Sequence, residues 1–459
     1  MEKRESIEIT ASHHPNDPND QNDGSALIKP FAQIQAKLRL LLLTGQLLME
    51  NGADTDRTSR DMMRTAAYMG IPKDEIHLHV MYTTLMLNIN DETHSYTEFR
   101  KCTRHVVNMT TLSAVSKLSW RALRENYTLD SFAQALEGIA VCARAYSFPI
   151  MALGAGAACG GFCKLFGGSW LDFFLTAVCA IFGFYVRRAC TNYGFNPYAV
   201  IAITSFAATW LAYCTHFVTG TMNWYPMISC TLFLVPGVPI INAVDDFLNN
   251  FIVSGMTRAL HTLLVTGSMT FGIVIAVWLG NVEDFTTVSL QPDNIYFSQA
   301  IAAAIASVGF SLIFNVPKRL LPVIAAGGII TVLIRNVAVL QFGMPQAAGS
   351  FLGAAVVGLL ALRAIHIFHT PNIVLTIPSA IPMIPGVLLF RLLFALMNIR
   401  TIDSAALLAG LRSGVEAITI IIAIAVGVAI PNIFIHRYIE RNKQQMINGL
   451  LARRYENEG

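Results

Sequence analysis

Leu232–Leu264, LFLVPGVPIINAVDDFLNNFIVSGMTRALHTLL, begins as a membrane helix and then departs from that pattern. Pro236, Gly237 and Pro239 interrupt an apolar run, because proline removes backbone donors and glycine weakens the helix. Asn242, Asp245, Asp246, Asn249 and Asn250 follow at once. Irregular backbone is tolerated at membrane depth only where it is buried in protein or lines a cavity, so carboxylates and amides beside a broken apolar helix mark a solute or ion path. The same signal returns later in the chain. Ile384-Pro385-Gly386-Val387 echoes Val235-Pro236-Gly237-Val238, at an offset of 385 − 236 = 149.

Around these breaks the second half of the chain repeats the first. An offset of 148 superimposes Gly161-Phe162 on Gly309-Phe310, Phe166 on Phe314, Arg187 on Arg335 and Pro197 on Pro345. A nearly constant offset across several helices is hard to obtain from composition alone, and it indicates a duplication. At 54% hydrophobic and 13% charged residues the chain is a polytopic α-helical membrane protein. About ten transmembrane helices are expected, each near the ~20 residues that cross the hydrocarbon core, although several are short or broken. They fall at 147–163, 171–186, 198–218, 227–241 and 259–279, then at 297–314, 320–337, 346–363, 373–396 and 405–430. Five spans per unit is an odd number, so the second unit enters the bilayer upside down, giving two inverted five-helix repeats.

Charge orients this bundle, since Lys and Arg favour the cytoplasmic side. Arg187-Arg188, Arg258, Lys318-Arg319, Arg363 and the basic tail after His436 fall on alternate loops and are placed inside, with both termini cytoplasmic. Glu283, Asp284 and Asp293 share a loop without Lys or Arg, which fits the outside. Lys164, Arg335, Arg391 and Arg400 then sit on the outer side, as exceptions or as residues within the protein.

Ahead of the membrane units, residues 1–30 read as a disordered polar tail without a signal peptide, and 31–146 as a cytoplasmic α+β domain. The apolar run Leu38–Met49 is too short to span a bilayer and reads as a buried helix. Asp54 or Thr55 caps a second helix that ends at Gly70. Ile76–Ile89 reads as a strand turning at Asn90-Asp91 into a second, roughly 96–107, before helices near 110–125 and 131–145. The membrane units are then 147–290 and 291–435, followed by a cytoplasmic basic tail, 436–459.

The stretch from Pro236 to Leu264 resembles the bacterial threonine/serine exporter family, whose first membrane unit carries a PG…N…D…SG…R pattern. Pro236, Gly237, Asn242, Asp245 or Asp246, Ser254, Gly255 and Arg258 match it. LLMENGADTDRTSRDMMRTAAYMG, Leu47–Gly70, looks like the family's helix pair ahead of its strands, although Thr58-Ser59 stands where a family glutamate is expected. The resemblance implies a secondary exporter in the bacterial inner membrane. Two-chain relatives are associated with succinate export, so the resemblance leaves threonine and serine or a dicarboxylate as the substrate.

The candidate path residues are Pro236, Gly237, Asn242, Asp245, Asp246, Asn249, Ser254, Arg258, Pro385, Gly386 and Arg391. Asn242, Asp245/Asp246 and Asn249 recur at helical spacing on one face. Either aspartate can carry a coupling proton or meet a substrate ammonium, or both can belong to a solvated cytoplasmic loop. Arg391 occupies the repeat position of Asn242 and either binds a carboxylate or snorkels to the interface. An acid-bearing first unit and an arginine-bearing second suit a zwitterion, which favours threonine and serine over succinate. Arg412 and Glu416 are spaced for a structural ion pair. His77 and His79 share a strand face but lack a third metal ligand of convincing spacing, and the eight cysteines read as small core residues. His216 and His261 are expected in helix–helix hydrogen bonds.

No Walker loop, GxSxG elbow or HExxH pattern occurs, so neither an enzyme nor a cofactor is expected. Scattered basic residues and a net charge of +3 give no nucleic-acid patch. The expected partners are a small carboxylate-bearing metabolite, protons and the lipid bilayer. The Gly/Ala-rich stretches 152–168 and 347–358 permit close helix contacts within one chain or between copies in a homo-oligomer. A membrane metabolite sensor is the remaining alternative function, and it would need a recognisable output domain.

Overall fold

The computed structural model describes residues 24–90, 95–125, 127–141, 145–220, 224–280, 296–368, 370–399 and 402–429. Helix α1 (Gly24–Glu50) carries the apolar run, with Leu38, Leu41, Leu42, Leu48 and Met49 buried. It starts at Gly24, so residues 24–30 are helical rather than part of a disordered tail. Asp54 caps α2 (Thr55–Tyr68) by accepting the Arg57 N–H at 2.7 Å. A side chain at Gly45 would strike the Met62 sulfur and Leu85, so glycine lets α1 lie against both α2 and the sheet.

The sheet corrects the sequence reading of this region. Residues 76–89 form two strands, β1 (Ile76–Val80) and β2 (Thr84–Asn90), paired antiparallel with Ile76 opposite Ile89. The Met81 N–H donates to the Thr84 carbonyl at 2.9 Å and closes the turn. Met81-Tyr82-Thr83 contains none of the usual turn formers, which is why the sequence showed no break there. β3 (Ser95–Lys101) completes the order β1-β2-β3 and ends before residue 107. Leu85, Leu87 and Ile89 alternate along the buried face of β2. Helices α3 (Met109–Arg124) and α4 (Leu129–Val141) close the domain.

Among the described residues the membrane part contains eight helices long and apolar enough to cross a bilayer, and two bent pairs that bring the count to as many as ten. Its first unit holds α5 (Phe148–Leu165), α6 (Trp170–Asn192), α7 (Pro197–Cys214), the one-turn α8 (His216–Thr219), α9 (Trp224–Ser229), α10 (Gly237–Leu248) and α11 (Ile252–Leu279). The second holds α12 (Tyr296–Ile313), α13 (Leu321–Leu340), α14 (Gln346–Phe368), α15 (Asn372–Ala380), α16 (Gly386–Met397) and α17 (Ser404–Ala429). Met227–Ile241 and Ile373–Leu396, each expected as one span, are the bent pairs: Trp224–Leu234 turns by 58° into α10, and Asn372–Met383 by 57° into α16. Both corners fall at the Pro-Gly dipeptides.

Element ends repeat with the sequence. α10 and α16 start at Gly237 and Gly386 and end at Leu248 and Met397, always 149 apart. Two of the left-handed turns between helices repeat as well, Gly167 with Asn315 and Gly194 with Gly343. Such positions tolerate little besides glycine and asparagine, so the turns were duplicated along with the helices.

The small residues of 152–168 serve contact inside the chain. A Cβ on Gly309 of α12 would lie 2.5 Å from the Ala158 nitrogen, and one on Gly154 of α5 would lie 2.9 Å from the Gly309 carbonyl. The absence of side chains brings α5 and α12, the first helix of each unit, into backbone contact. Cys159 and Cys163 are fully buried in this layer, as small core residues should be.

Candidate functional site

The two helix breaks meet each other. Phe162 and Phe310, Leu232 and Ile381, Val235 and Ile384, Gly237 and Gly386 line one apolar pocket, and each pair is related by the repeat offset. Phe162 and Phe310 pack edge to face with centroids 5.8 Å apart. A Cβ on Gly237 would lie 2.9 Å from Ile384, and one on Gly386 would lie 3.2 Å from Leu232 and Val235. Glycine at each corner therefore does two jobs: it frees the turn and lets the opposite unit close on it. The breaks close on each other through repeat-related apolar residues.

The polar residues downstream of the first break face elsewhere. Asn242, Asp246 and Arg258 are all buried, and Arg258 donates from Nε to Asp246 Oδ2 at 2.8 Å. The remaining partners come from the N-terminal helices and sheet. The turn between α1 and α2 gives Asp246 Oδ1 the Thr55 N–H at 2.9 Å, and it accepts at the Ala53 carbonyl from Arg258 Nη2 at 2.8 Å. The Gly52 carbonyl accepts from Asn242 Nδ2 at 3.0 Å, and Ser254 Oγ donates to the Val80 carbonyl at 3.4 Å. Tyr82 lies over the Arg258 guanidinium at 4.8 Å and stacks on His105 at 3.9 Å. A buried ion pair holds only when its remaining donors and acceptors are satisfied, and here the soluble domain satisfies them.

Asn242, Asp246 and Arg258 thus form a docking seat for the α1–α2 turn, and Ser254 adds a contact to the end of β1. Asp245 is half-buried and faces Asp54 and Asp56, with Arg57 as a nearby countercharge. Asn249 is exposed and folds back to the Asp245 carbonyl at 3.0 Å. Burial, with Arg258 and His261 nearby, pushes the His105 imidazole down to about 4. Burial raises the Tyr82 phenol to about 12, so it stays neutral against the arginine. Burial alone would raise the Asp54 carboxyl, but Arg57 and Arg60 more than offset it and hold the group below the ordinary aspartate value.

The N-terminal region grips the second unit too. Asn315, between α12 and α13, accepts at its carbonyl from the Thr110 N–H at 3.1 Å, accepts at Oδ1 from the Ala145 N–H at 2.8 Å, and donates from Nδ2 to Asn108 Oδ1 at 2.7 Å. Tyr146 Oη donates to the Val316 carbonyl at 2.8 Å. One small domain therefore bridges both units on the face that carries Lys318, Arg319 and Arg258.

Arg391 is half-buried on α16 and has Glu416 of α17 as an electrostatic partner. Arg412 and Glu416 are both exposed, and among the described residues no ion pair joins them, contrary to the spacing argument. Helical spacing permits a pair without compelling one, and Glu416 acts electrostatically on Arg391 of the neighbouring helix. His261 bonds Tyr198 Oη at 3.1 Å across α11 and α7, as expected, whereas the bond His216 makes among the described residues is to the Tyr213 carbonyl within its own segment. His77 and His79 are exposed on β1, and among the described residues no group of three or more His, Cys, Asp or Glu is placed to hold a metal.

Sequence reasoning overlooked the buried hydroxyls near the breaks. Ser307 of α12 and Ser379 of α15 both pack against α13, where Thr331 donates to the Ser379 carbonyl at 2.9 Å. Their repeat partners are Cys159 and Cys230, which also meet, sulfur to carbonyl, at 3.6 Å. The shared offset was the only signal that could have found them.

Comparison with known proteins adds to this geometry. A family model described as "Putative threonine/serine exporter" matches residues 39–280, and a second, "Threonine/Serine exporter, ThrE", matches 299–434. The "Probable succinate transporter subunit YjjP" of Escherichia coli is 26% identical over 254 residues, 53% of this chain and 95% of that protein. The "Threonine/serine exporter" of Corynebacterium glutamicum is 22% identical over 389 residues, 81% of this chain and 78% of that one. No solved structure matches.

Proposed function

Because the chain belongs to the threonine/serine exporter family, we propose that it is a secondary exporter of small carboxylate-bearing metabolites, threonine and serine first, driven by protons across the bacterial inner membrane. The observation that carries this reading is the pair of repeat-related broken helices, Pro236-Gly237 and Pro385-Gly386, closing on each other in one apolar plug. A closed centre flanked by equivalent half-helices suits alternating access, in which one unit rocks against the other. On this reading the units are inverted and both termini are cytoplasmic. Single cysteines at Asp284 and Lys318, in a background without native cysteines, should label from opposite sides, and labelling from one side would refute the inversion.

Asp245 is the coupling group we favour, since Asp246 is committed to Arg258 and the soluble domain. Asp245→Asn should abolish gradient-driven export while leaving the protein inserted. The deciding assay is uptake into inside-out vesicles of labelled threonine, serine and succinate under an imposed proton gradient. Uptake of none of the three would end the exporter reading. Succinate alone would favour the second reading, dicarboxylate export, which the likeness to the Escherichia coli succinate transporter subunit supports.

A further inference from the structure

Arg335 takes part in none of the contacts described above. Along α13, Gly328 packs against Ser307, Thr331 bonds the Ser379 carbonyl, and Arg335 follows one turn later on the same interior face. It lies about 21 Å along the helix from the end that meets the soluble domain, at a rise of ~1.5 Å per residue. Its Nε and Nη2 both donate to Asn336 Oδ1, at 3.1 and 3.0 Å. Asn336 in turn donates to Gln299 Oε1 at 2.5 Å, and Gln299 to the Leu165 carbonyl at 3.5 Å. Gln299 is 1% exposed and Asn336 8%, and Lys164, beside Leu165, is 7% exposed.

A guanidinium offers five N–H donors in a rigid fork, and here a single neutral amide oxygen receives two of them. Among the described residues no carboxylate lies within ion-pair distance of Arg335. Intramembrane cations are normally paired, because an uncompensated charge away from water is costly. Arg335 is nevertheless only half-buried, with its stem packed against Gly349 of α14. The Asn336–Gln299 chain fixes one edge and aims the fork. Such a fork matches a carboxylate, which it can bind bidentately.

We propose that Arg335, aimed by Asn336 and Gln299, is a carboxylate-binding residue in the half of the membrane part remote from the soluble domain, and that it takes the carboxylate of the transported solute. The assignment of a solute rests on the exporter reading, but its test does not require transport. Its repeat partner, Arg187, occupies the matching position near the C-terminal end of the first unit's α6.

The test is direct binding to the purified full-length chain in uncharged detergent, with threonine, serine and succinate as probes and threonine amide as the carboxylate-free control. At least one carboxylate should bind and threonine amide should not. Arg335→Gln should weaken that binding by about tenfold or more, the loss expected for a charge-assisted hydrogen bond. Arg335→Lys should recover part of it, and both variants should elute as wild type on size exclusion. Equal binding by wild type and R335Q, or no binding of any probe to wild type, overturns the proposal. An arginine that only anchors lipid phosphate gives the first of these results. Neutralising Glu283, Asp284 and Asp293 together should leave binding unchanged, and tighter binding would mean that one of these acids is the true partner of Arg335, again overturning it. Carboxylate binding through Arg335 without vesicle transport would refute the exporter reading and leave the site standing.

Discussion

Asp246→Asn tests whether the soluble domain is held on the membrane part by the seat around Arg258. The substitution preserves size and an acceptor oxygen but leaves a guanidinium that is 2% exposed without its countercharge. Breaking one side of a buried pair costs about 3–5 kcal/mol, because the surviving charge stays uncompensated. At about 1.4 kcal/mol per factor of ten, the seat should open on the order of 10²–10³ times more often. The Thr55 N–H, donated to Asp246 Oδ1 at 2.9 Å, is the natural reporter. Hydrogen exchange followed by mass spectrometry on the peptide covering residues 50–58 should accelerate by that factor. The double variant Asp246→Leu with Arg258→Met removes both charges and should accelerate exchange less than Asp246→Asn alone, since apolar groups of similar volume replace a desolvated pair at little net cost. Exchange in Asp246→Asn within about twofold of wild type, the scatter expected of an uncoupled site, would refute the seat. A double variant as labile as the sum of its singles would show that the two groups act independently.

Asn315 holds a left-handed conformation, φ 55°, while its side chain bonds Asn108 and Ala145. Asn315→Gly should lose those bonds alone, whereas Asn315→Ala should cost roughly 1–2 kcal/mol more in melting experiments because alanine resists that backbone region. Gly309→Ala places a methyl 2.5 Å from the Ala158 nitrogen, and overpacking of about 1–3 kcal/mol or more should lower the yield of monodisperse protein on fluorescence size exclusion. His105 supplies a pH dependence. Its folded-state value of about 4 lies below the ordinary 6.5, so the ring's stabilising contribution is complete above about 6.5 and is lost as pH falls towards about 4. Arg258, His261, Glu50 and Tyr82 face it. The melting temperature should therefore drop between pH 7 and pH 5, and His105→Phe, which keeps the stack on Tyr82, should flatten that drop.

Much of this architecture is local and therefore legible in the chain. Pro236-Gly237 and Pro385-Gly386 interrupt helices because of what proline and glycine lack, wherever they stand, and both corners appear where the dipeptides occur. The 148–149 offset foretold paired element ends and even paired left-handed turns, since duplicated residues carry their backbone preferences with them. The Asp54 cap of α2 belongs to the same class, as a side chain bonding a backbone group three residues on.

What the sequence alone could not supply is the partner of each polar group. Helical spacing placed Asn242, Asp246 and Asn249 on one face and implied a path, but spacing is silent about what covers the face. Residues nearly two hundred positions earlier, Gly52, Ala53 and Thr55, turn most of it into a seat. The same blindness made Arg412 and Glu416 a pair on one helix, when Glu416 acts on Arg391 of the neighbouring helix, and left Arg335 as an exception on the outer side, whose lack of a carboxylate among the described residues is visible only once its neighbours are known. Backbone breaks, caps and turns follow from energies within a few residues, which any stretch of chain carries with it. Charge compensation is decided by whichever groups the fold brings within a few ångströms, and in this protein those groups come from the soluble domain and from both membrane units.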